Sequence, residues 1–413
     1  MNPPVSGIPT ERAAKLREEY RAVLFDDFVP WWEEHSIDRE YGGYYSCLGR
    51  DGRAYAGEKF TWMLARQIWM FSHLYNRHAP RPEWLEIAWH GARFLLDHAF
   101  STDGRMHFRL ARDGRPRAAG QSIYTECFAA MGLAELGRAS GDHSLWDRAV
   151  EMVERIRPRL GRPDSTPLLG YPLDVQFHLH AHDMIRLTVA SVFNELQPDR
   201  QWEDDLTVSA RSVVDRHWKP ELHVFLENVA PDGSPLLDLP EGRMVHPGHA
   251  IESAWMLIDV AHRRGDKSLL ATAVEIVLSS LERSWDTEYG GLCYLTSLDG
   301  TPTNPPNADI KLWWTHAETL CALLLGWAYT GRSDLAAWYD RVHDYVFASF
   351  PDPQHGEWYG YLNRDGSVIF TAKADGRKGF FHLPRALFRG YRLLSEPGTG
   401  PLASDNRSRP PNN

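Results

Sequence analysis

The stretch EYGGLCYLTSLDG (288–300) couples a short aromatic run to an Asp-Gly turn, the pattern of a small two-stranded β-hairpin. The chain repeats this pattern twice more, as EYGGYYSCLGRDG (40–52) and GEWYGYLNRDG (356–366). Between these hairpins the sequence shows helical periodicity far more often than strand alternation. A hairpin that recurs between helices predicts a ring built of repeated helical hairpins.

The helical segments are numerous enough to close a double ring. Paired as helical hairpins, they predict an all-α (α/α)6 barrel with short β-hairpins in the connecting loops. We expect this barrel to be a single catalytic domain over residues 1–395, followed by a disordered tail, 396–413, that is rich in Pro, Gly, Ser and Asn. The predicted helices are 9–24, 59–77, 83–99, 120–140, 143–159, 175–196, 201–217, 247–265, 267–285, 310–331, 333–350 and 379–395.

Every second predicted helix, beginning with 59–77, carries polar and aromatic residues among its apolar ones. The segment 202–218 instead has the ordinary amphipathic pattern of an outer helix. Because alternate helices line the axis of a double ring, we expect one end of the inner ring to form a single polar, aromatic pocket. The residues that this pocket would collect are Arg66, Glu126, His180, His249, Glu252, Trp313, Trp314, Glu318 and His382.

Composition excludes several classes of protein. The 413-residue chain is 43% hydrophobic and 24% charged, which is typical of a well-packed globular protein. Its net charge of −10 comes without a run of Lys or Arg, so it lacks the basic surface that a nucleic-acid or anionic-membrane binder needs. The four cysteines stand singly, and no apolar stretch is long enough to span a bilayer. We therefore expect a cytoplasmic protein that acts on a small molecule.

Two histidines open apolar, helix-patterned segments that are far apart in the chain. His249 lies in HPGHAIESAW (246–255) and His382 lies in KGFFHLPRAL (378–387). Imidazole titrates near pH 6.5, so both of its protonation states are accessible in a cell. Two such groups at the mouths of separate helices can remove a proton from one face of a carbon atom and deliver one to the opposite face. This pairing predicts an epimerase.

The chain resembles the N-acylglucosamine 2-epimerase family, which includes the mammalian renin-binding protein, from about residue 20 to residue 395. The stretches that carry the resemblance are FVPWWEEHSIDREYGGYYSCLGRDGR (28–53), KFTWMLARQIWMFSHLY (59–75), HPGHAIESAWML (246–257), KLWWTHAETLCALL (311–324) and EWYGYLNRDGSVIFTAKADGRKGFFHLPRAL (357–387). The resemblance implies an (α/α)6 barrel and two acid/base histidines. These are the histidine of the PGH motif, His249, and that of the KGxFHxPR motif, His382. The arginine of the KxxWxxxR motif, Arg66, is similar to the family's substrate-binding arginine.

Chemistry explains why such residues are needed. The hydrogen on carbon 2 of an aldose becomes acidic only when the ring opens and the aldehyde can accept charge as an enediolate. A base on one face, an acid on the other and a donor for the oxyanion then suffice, without a metal or redox cofactor. We expect Arg66 to donate to the oxyanion and Glu252, three residues after His249 on the same helical face, to orient or tune that imidazole. We expect Trp313, Trp314 and Glu318 to help bind the sugar.

The segment QFHLHAHDM (176–184) looks more like the corresponding helix of cellobiose 2-epimerases and mannose isomerases, whose histidine contacts the sugar. We therefore expect His180 to bind substrate. The sequence leaves the substrate open between an N-acylhexosamine and an unacylated hexose. An enediolate that is protonated at carbon 1 gives a ketose, so an aldose–ketose isomerase is the alternative. Three histidines at alternate positions, His178, His180 and His182, share one face only in a strand, so a helix here predicts no metal site.

Two other functions fit the same fold. Barrels of this architecture also host glycoside hydrolases that work with two carboxylates, and Glu252 and Glu318 are the candidates for such a pair. A binding protein without catalysis, in the manner of renin binding, is the third reading. The resemblance also implies that the protein can form a homodimer. We find no phosphate-binding Gly-rich loop in the sequence, so nucleotide dependence is left open.

Overall fold

The computed structural model describes residues 7–120, 123–159, 176–300, 303 and 307–395. The predicted tail, 396–413, lies outside the described residues. Helices dominate the described part, and most strands are only two residues long. Among the described residues, no helix combines the length and the apolar character needed to cross a bilayer.

An outer layer of helices surrounds the molecule, and each helix buries one face. In α8, for example, the buried positions Trp202, Leu206, Ala210 and Val213 recur every three or four residues, which is the amphipathic pattern of a surface helix. The outer helices are α1 (Thr10–Arg21), α2 (Val29–His35), α4 (Pro82–His98), α6 (His143–Ile156), α8 (Arg200–His217), α10 (Lys267–Ser284) and α12 (Ser333–Ser349).

The first outer helix is longer than the sequence predicted. After α1 the chain continues through a π-helical stretch, Ala22–Phe28, directly into α2. The prediction ended the first helix at residue 24 and began the next helix at residue 59. The wider turns before Pro30 let the helix continue, and they carry Trp31 and Trp32 into the core.

Six further helices form an inner ring, and each packs against its neighbours in the ring and against one outer helix. The ring closes where α13 meets α3, since the rings of His73 and Phe388 lie 5.6 Å apart, edge to face. This arrangement is the predicted (α/α)6 barrel. The inner helices are α3 (Thr61–Arg77), α5 (Tyr124–Ser140), α7 (His180–Leu196), α9 (Pro247–Arg264), α11 (Trp313–Thr330) and α13 (His382–Ser395).

Short strands precede four of the inner helices and set where those helices begin. For three of these helices the predicted starts, at 59, 175 and 310, were too early. The residues just before each helix pair with a distant strand, and this pairing overrides local helical periodicity. The strands are β1 (Lys59–Phe60), β2 (His107–Leu110), β3 (Pro116–Ala119), β4 (His178–Leu179), β5 (Trp218–Lys219), β6 (Val224–Phe225), β7 (Asn228–Val229), β8 (Met244–Val245), β9 (Thr296–Ser297), β10 (Lys311–Leu312) and β11 (Tyr361–Leu362). Antiparallel pairing joins β1 to β2 and β2 to β3, β4 to β7, β5 to β6, β8 to β9, and β10 to β11.

The three repeated segments are not regular two-stranded hairpins. In 40–52 and 356–366 a single β-bridge closes the Asp-Gly turn, Leu48 with Ala54 and Leu362 with Val368. In 288–300 the strand β9 pairs with the distant strand β8.

A buried Lys–Asp ion pair lies beside each of the three segments. The Nζ atom of Lys311 lies 3.1 Å from Asp286 Oδ2, and both side chains are almost fully buried. The equivalent pairs, Lys59 with Asp38 and Lys373 with Asp352, are 3.0 and 2.9 Å apart. An arginine reaches each of these aspartates from the surface: Arg364, Arg112 and Arg50. Lys59 and Lys311 stand in β1 and β10, the strands that precede the inner helices α3 and α11.

Candidate active site

A cavity of about 270 Å³ lies at the end of the inner ring where the inner helices begin. Every inner helix contributes to its wall, so the side chains of distant segments meet there. The lining residues are Trp62, Arg66, Tyr124, Met184, His246, His249, Glu252, Tyr294, Ile310, Leu312, Trp313, Trp314, Tyr361, Arg377 and His382. A smaller cavity of about 80 Å³ lies towards the other end of the ring, around Asp259 and Arg389, and neither His249 nor His382 lines it.

The two predicted acid/base histidines face the same cavity. The indole ring of Trp314 lies between them, with its centroid 5.6 Å from that of His249 and 5.4 Å from that of His382. His249 stands in the first turn of α9, and His382 is the first residue of α13. These helices are separate parts of the ring, and each packs against α11, the helix that carries Trp314.

His382 is held by a buried carboxylate. Its Nδ1 atom lies 2.7 Å from Glu318 Oε1, and Glu318 is fully buried. Arg385 donates from Nη2 to Glu318 Oε1 at 2.6 Å, and Trp255 donates from Nε1 to Glu318 Oε2 at 2.7 Å. With Nδ1–H donating to Glu318, Nε2 of His382 is the free atom that can accept a proton.

The surroundings of His382 keep the imidazole neutral. Burial lowers its pKa, the negative charge of Glu252 opposes that effect, and the nearby cations Arg66 and Arg385 lower the pKa further. The net result is a pKa well below the ordinary value of 6.5. His382 is therefore suited to act as a base at neutral pH.

His249 has the opposite protonation preference. Burial alone lowers its pKa, but the charge and the hydrogen bond of Glu227 outweigh burial, and Glu252 adds a smaller effect. The pKa of His249 is therefore raised above its ordinary value. The two atoms in contact, His249 Nδ1 and Glu227 Oε1, are 3.0 Å apart. His249 is thus suited to donate a proton from Nε2.

His246 supports His249 from the N-terminal end of α9. The two imidazoles stack with centroids 3.8 Å apart and planes 7° from parallel. The backbone N–H of His249 donates to Nδ1 of His246, so His246 also caps the helix. Burial and then the neighbouring His249 hold the pKa of His246 well below 6.5, so a neutral ring lies against the charged one.

Arg66 lies in a slot of aromatic rings. Its guanidinium carbon is 4.1 Å from the ring centroid of Phe128 and 4.4 Å from that of Trp62. Burial lowers the pKa of Arg66 to about 9, against the charge of Glu252. Among the described residues, its Nε has no hydrogen-bond partner. Arg66 is therefore a buried cation at the cavity wall that can stabilise a negative charge as it develops on a bound molecule.

Two residues that we expected to bind sugar lie behind the cavity wall. His180 is fully buried, with Nε2 2.8 Å from Ser253 Oγ, and it packs 6.1 Å from the ring of His249. Glu318 lies behind His382 as described above. Both side chains contact a histidine or its carboxylate, so the structure gives them a supporting position and not direct contact with the cavity.

The remaining predicted residues divide between the cavity wall and the structure around it. Glu252 lines the cavity but does not hold His249; its Oε1 accepts from Arg385 at 2.6 Å and lies 3.9 Å from His382 Nδ1. The carboxylate that contacts His249 is that of Glu227, whereas Glu252 acts on His249 through its charge, which helps to raise the pKa of that imidazole. The role of Glu252 at the site stays a prediction. Glu126 is absent from the wall and forms an ion pair with Arg159 at 2.7 Å.

The tandem tryptophans both reach the cavity, with different degrees of burial. Trp313 is almost fully buried, and its ring lies 5.1 Å from that of Tyr361, tilted by 63°. Trp314 is only partly buried and presents its face between the two histidines. The flat surface predicted for a sugar is therefore formed mainly by Trp314, with Trp313 and Tyr361 beside it.

Three groups of side chains have donor atoms close enough to hold a metal ion, and in each group one histidine is already hydrogen-bonded to a carboxylate. In the group Glu252, Glu318 and His382, the guanidinium of Arg385 occupies the position between the two carboxylates. The other groups are His180 with Glu227 and His249, and His178 with Asp183 and His217. His178 lies in strand β4 and not in a helix, contrary to our prediction for 175–196, and it contacts Asp183 at 2.8 Å. The absence of a metal requirement stays a prediction.

Sequence reasoning missed three residues that organise the site: Glu227, Arg385 and His246. Arg385 stands in the quoted segment KGFFHLPRAL, three residues after His382, so helical spacing could have placed it on the same face. His246 is part of HPGH, and a helix-starting role was the only one that its position suggested. Glu227 lies in a loop between two short strands, where no periodicity or motif marks it.

Comparison with known proteins agrees with this geometry. A family model described as N-acylglucosamine 2-epimerase (GlcNAc 2-epimerase) matches residues 43–386. The N-acylglucosamine 2-epimerase of Bos taurus is 37% identical over 383 residues, which cover 90% of this chain and 89% of that protein. The cellobiose 2-epimerase of Bacteroides fragilis is 25% identical over 397 residues, which cover 89% of this chain and 96% of that protein.

A solved structure shows the same fold. The cellobiose 2-epimerase from Bacillus thermoamylovorans B4167 superposes with a TM-score of 0.80 over 92% of this chain and 99% of that chain, at 18% identity. Fold, site and sequence similarity together define an isomerase of the racemase and epimerase class. The chain belongs to the N-acylglucosamine 2-epimerase family.

Proposed function

We propose that this protein interconverts an N-acylated 2-amino hexose, such as N-acetylglucosamine, and its carbon-2 epimer. The observation that carries the proposal is that two imidazoles with opposite protonation preferences face one cavity across Trp314. The higher identity to an N-acylglucosamine 2-epimerase, 37%, than to a cellobiose 2-epimerase, 25%, supports an N-acylated substrate. The chemical step itself changes bonds only at carbons 1 and 2 of the sugar.

The proposed reaction begins with the open-chain aldehyde. His382 takes the hydrogen of carbon 2 as a proton on Nε2, and the electrons of that bond form a carbon 1–carbon 2 double bond while the aldehyde oxygen becomes an oxyanion. Arg66 stabilises the oxyanion. His249 then delivers its Nε2 proton to the opposite face of carbon 2, and the aldehyde forms again. Starting from the other epimer, the two histidines exchange roles.

The substituent on carbon 2 distinguishes an epimerase from an isomerase. With a hydroxyl on carbon 2, the enediolate yields a ketose when it is protonated at carbon 1. With an N-acyl amino group there, protonation at carbon 1 leaves no hydroxyl on carbon 2 from which a ketone can form. An N-acylated substrate therefore directs the same machinery to epimerisation, while mannose or glucose permits the aldose–ketose alternative.

The two carboxylates are poorly placed for glycoside hydrolysis. Glu252 Oε1 and Glu318 Oε1 each accept from the same nitrogen of Arg385 at 2.6 Å. Hydrolases of this kind keep their carboxyl groups roughly 5 to 9.5 Å apart, on either side of the scissile bond. A shared guanidinium also removes the free acid that such a mechanism requires. The epimerase is the function that this arrangement supports.

A panel of sugars in deuterated water tests the proposal. The protein is incubated with N-acetylglucosamine, N-acetylmannosamine, mannose, fructose and cellobiose, and the products are separated by chromatography and analysed by NMR. We expect interconversion of the two N-acetylated sugars with deuterium at carbon 2. Preferred turnover of mannose or cellobiose would instead assign the unacylated substrate, and conversion to fructose would assign the isomerase.

We also propose that the protein acts in the cytoplasm. All four cysteines are free, and three of them are buried. Disulfides are rare in reducing compartments, so unpaired thiols support this location. A homodimer stays a prediction from the family resemblance.

A further inference from the structure

Glu227 contacts His249 in a geometry that fixes which nitrogen of the imidazole reacts. Its Oε1 atom lies 3.0 Å from His249 Nδ1, so the Nδ1–H donates to the carboxylate and Nε2 is left for the cavity. His249 lines the cavity, whereas Glu227 does not. Glu227 can therefore act on a substrate only through His249.

The backbone of Glu227 is tied to the two elements that lead into the neighbouring inner helices. Its carbonyl accepts from the N–H of His180, the first residue of α7, at 2.9 Å. Its own N–H donates to the carbonyl of Met244 in β8, the strand just before α9, at 3.3 Å. Leu226 and Asn228, on either side, also lie in backbone pairings. Because these hydrogen bonds hold the backbone of Glu227 in place, its carboxylate has little freedom to move away from His249.

The second oxygen of Glu227 faces His180. The distance from Glu227 Oε2 to His180 Nδ1 is 3.4 Å, a close polar contact without hydrogen-bond geometry, and neither atom has a hydrogen-bond partner among the described residues. His180 Nε2 lies 2.8 Å from the hydroxyl oxygen of Ser253, which can donate to it. These contacts form a chain from Ser253 through His180 and Glu227 to His249. When Ser253 donates to Nε2, the proton of the neutral His180 ring is on Nδ1, the atom next to the carboxylate.

The carboxylates that contact the two catalytic histidines differ in their other partners. Glu318, next to His382, also accepts from the guanidinium of Arg385 at 2.6 Å. Glu227 has no arginine or lysine within ion-pair distance among the described residues, and its partners are His249 and His180. The negative charge of Glu227 is therefore available to balance a positive imidazolium, whereas Glu318 shares the guanidinium of Arg385 with Glu252. The titratable or charged groups that face His249 from the surrounding elements are Glu227, His180, His246, Glu252 and His382.

We propose that Glu227, anchored by His180 and Ser253, is a positioning residue that holds His249 as the Nε2-protonated imidazolium in the resting enzyme. This inference rests on the proposed function and adds a residue to it. The acid of the first half-reaction is then prepared before substrate arrives. Burial and charge agree with this assignment, since the pKa of His249 is raised while burial, against the charge of Glu227, lowers the pKa of His180 to about 4.

The substitution Glu227→Gln tests the proposal because it keeps the size of the side chain and removes its charge. The matched control is Glu135→Gln, which changes another buried carboxylate, one that lies 3.3 Å from the imidazole of His73 at the far end of the ring. For both variants we would measure the pH profile of kcat and kcat/KM, and follow the imidazole nitrogens of His249 by long-range ¹H–¹⁵N NMR. Ser253→Ala is a milder variant in case Glu227→Gln folds poorly.

In Glu227→Gln we expect the basic limb of kcat/KM and the NMR titration of His249 to move to lower pH by about one unit or more. At neutral pH we expect kcat to fall about 100-fold with little change in KM, and activity to recover partly at lower pH. Ser253→Ala should move both titrations in the same direction by less, and Glu135→Gln should move neither. An unchanged His249 titration in Glu227→Gln would overturn the proposal. The NMR titration needs no turnover, so it distinguishes failure of this inference from failure of the proposed function.

Discussion

The Nδ1 atom of His382 lies 2.7 Å from Oε1 of Glu318, a side chain that is fully buried behind the cavity wall. The same oxygen accepts from Arg385, and the other carboxylate oxygen accepts from Trp255. Glu318 therefore fixes the tautomer of His382 and the position of Arg385 together. We expect the reactivity of His382 to depend on this single carboxylate.

The substitution Glu318→Gln should reduce kcat about 10- to 100-fold, the range for residues that orient a reactive imidazole from behind. If the amide oxygen accepts from Trp255, the amide NH2 group faces the N–H donors of His382 and Arg385 and cannot accept from them, so His382 loses its fixed orientation. Steady-state kinetics on the preferred sugar checks this, with circular dichroism to establish that the variant is folded. A variant with wild-type kcat would contradict the role given to Glu318.

The pH dependence of kcat/KM should show a plateau around neutrality with a limb on each side. The pKa of His382 is lowered, so this residue becomes a competent base once the pH rises through a value well below 6.5, and activity rises there. The pKa of His249 is raised, so this residue stays protonated until the pH passes a value above 6.5, and activity then falls. The profile should be the same for both epimers, because their equilibrium constant does not depend on pH. A single optimum below pH 6 would show that the two histidines titrate differently from this assignment.

Arg66 should contribute to kcat much more than to KM. The variant Arg66→Met keeps an unbranched stem within the slot of Trp62 and Phe128 but removes the guanidinium and its charge, which meets the oxyanion. We expect kcat to fall by about 10²- to 10³-fold, the usual loss for one oxyanion donor. Arg66→Lys, which keeps a charge without the planar group, should give an intermediate value. Equal kcat values for Lys and Met at this position would argue against oxyanion stabilisation.

The repeated Lys–Asp pairs should matter for stability and not for the reaction. Lys311→Met leaves Asp286 buried with only Arg364, and we expect a loss of about 3 kcal/mol in the free energy of unfolding. Burial raises the pKa of Asp286, but Arg364 and Lys311 outweigh burial, so the folded pKa lies well below its ordinary value. The stabilisation is therefore complete above the unfolded pKa, near 4, and is lost as the pH falls below it.

Denaturant unfolding at pH 7 and at pH 3.5 measures this effect. The difference between wild type and Lys311→Met should be large at pH 7 and smaller at pH 3.5. The exposed pair Arg12–Asp340 provides the control, and Arg12→Met should cost less than about 1 kcal/mol. A difference that does not change with pH would mean that lost packing, and not the ion pair, accounts for the destabilisation.

The fold was predictable from the sequence because it repeats. Ordinary amphipathic helices alternate with inner helices that carry polar and aromatic residues among their apolar ones. The three repeated segments also share the same spacing between an aspartate and the glycine of the following turn. Helix starts were less predictable: Lys311 and Leu312 read as helix, but they pair with Tyr361 and Leu362, and only the folded chain brings those residues together. Local periodicity carries no information about such pairing.

The site was partly predictable for the same reason. His249 and His382 stand at the starts of inner helices, so both lie at the end of the ring that carries the cavity. Glu227 could not be predicted, because its importance comes from backbone contacts with His180 and Met244 that are distant in sequence. His180 was marked by its sequence, but its burial behind His249 depends on Phe225 and Ser253 packing around it.

The central claim, that His249 and His382 act on opposite faces of one carbon, is tested most directly by hydrogen exchange with His249→Asn and His382→Asn. Each variant is incubated in deuterated water with each epimer separately, and deuterium at carbon 2 is measured by NMR. We predict that neither variant interconverts the epimers, and that each exchanges the carbon-2 hydrogen of one epimer only, a different epimer for each variant. Exchange of the same epimer by both variants, or interconversion by either one, would contradict the claim.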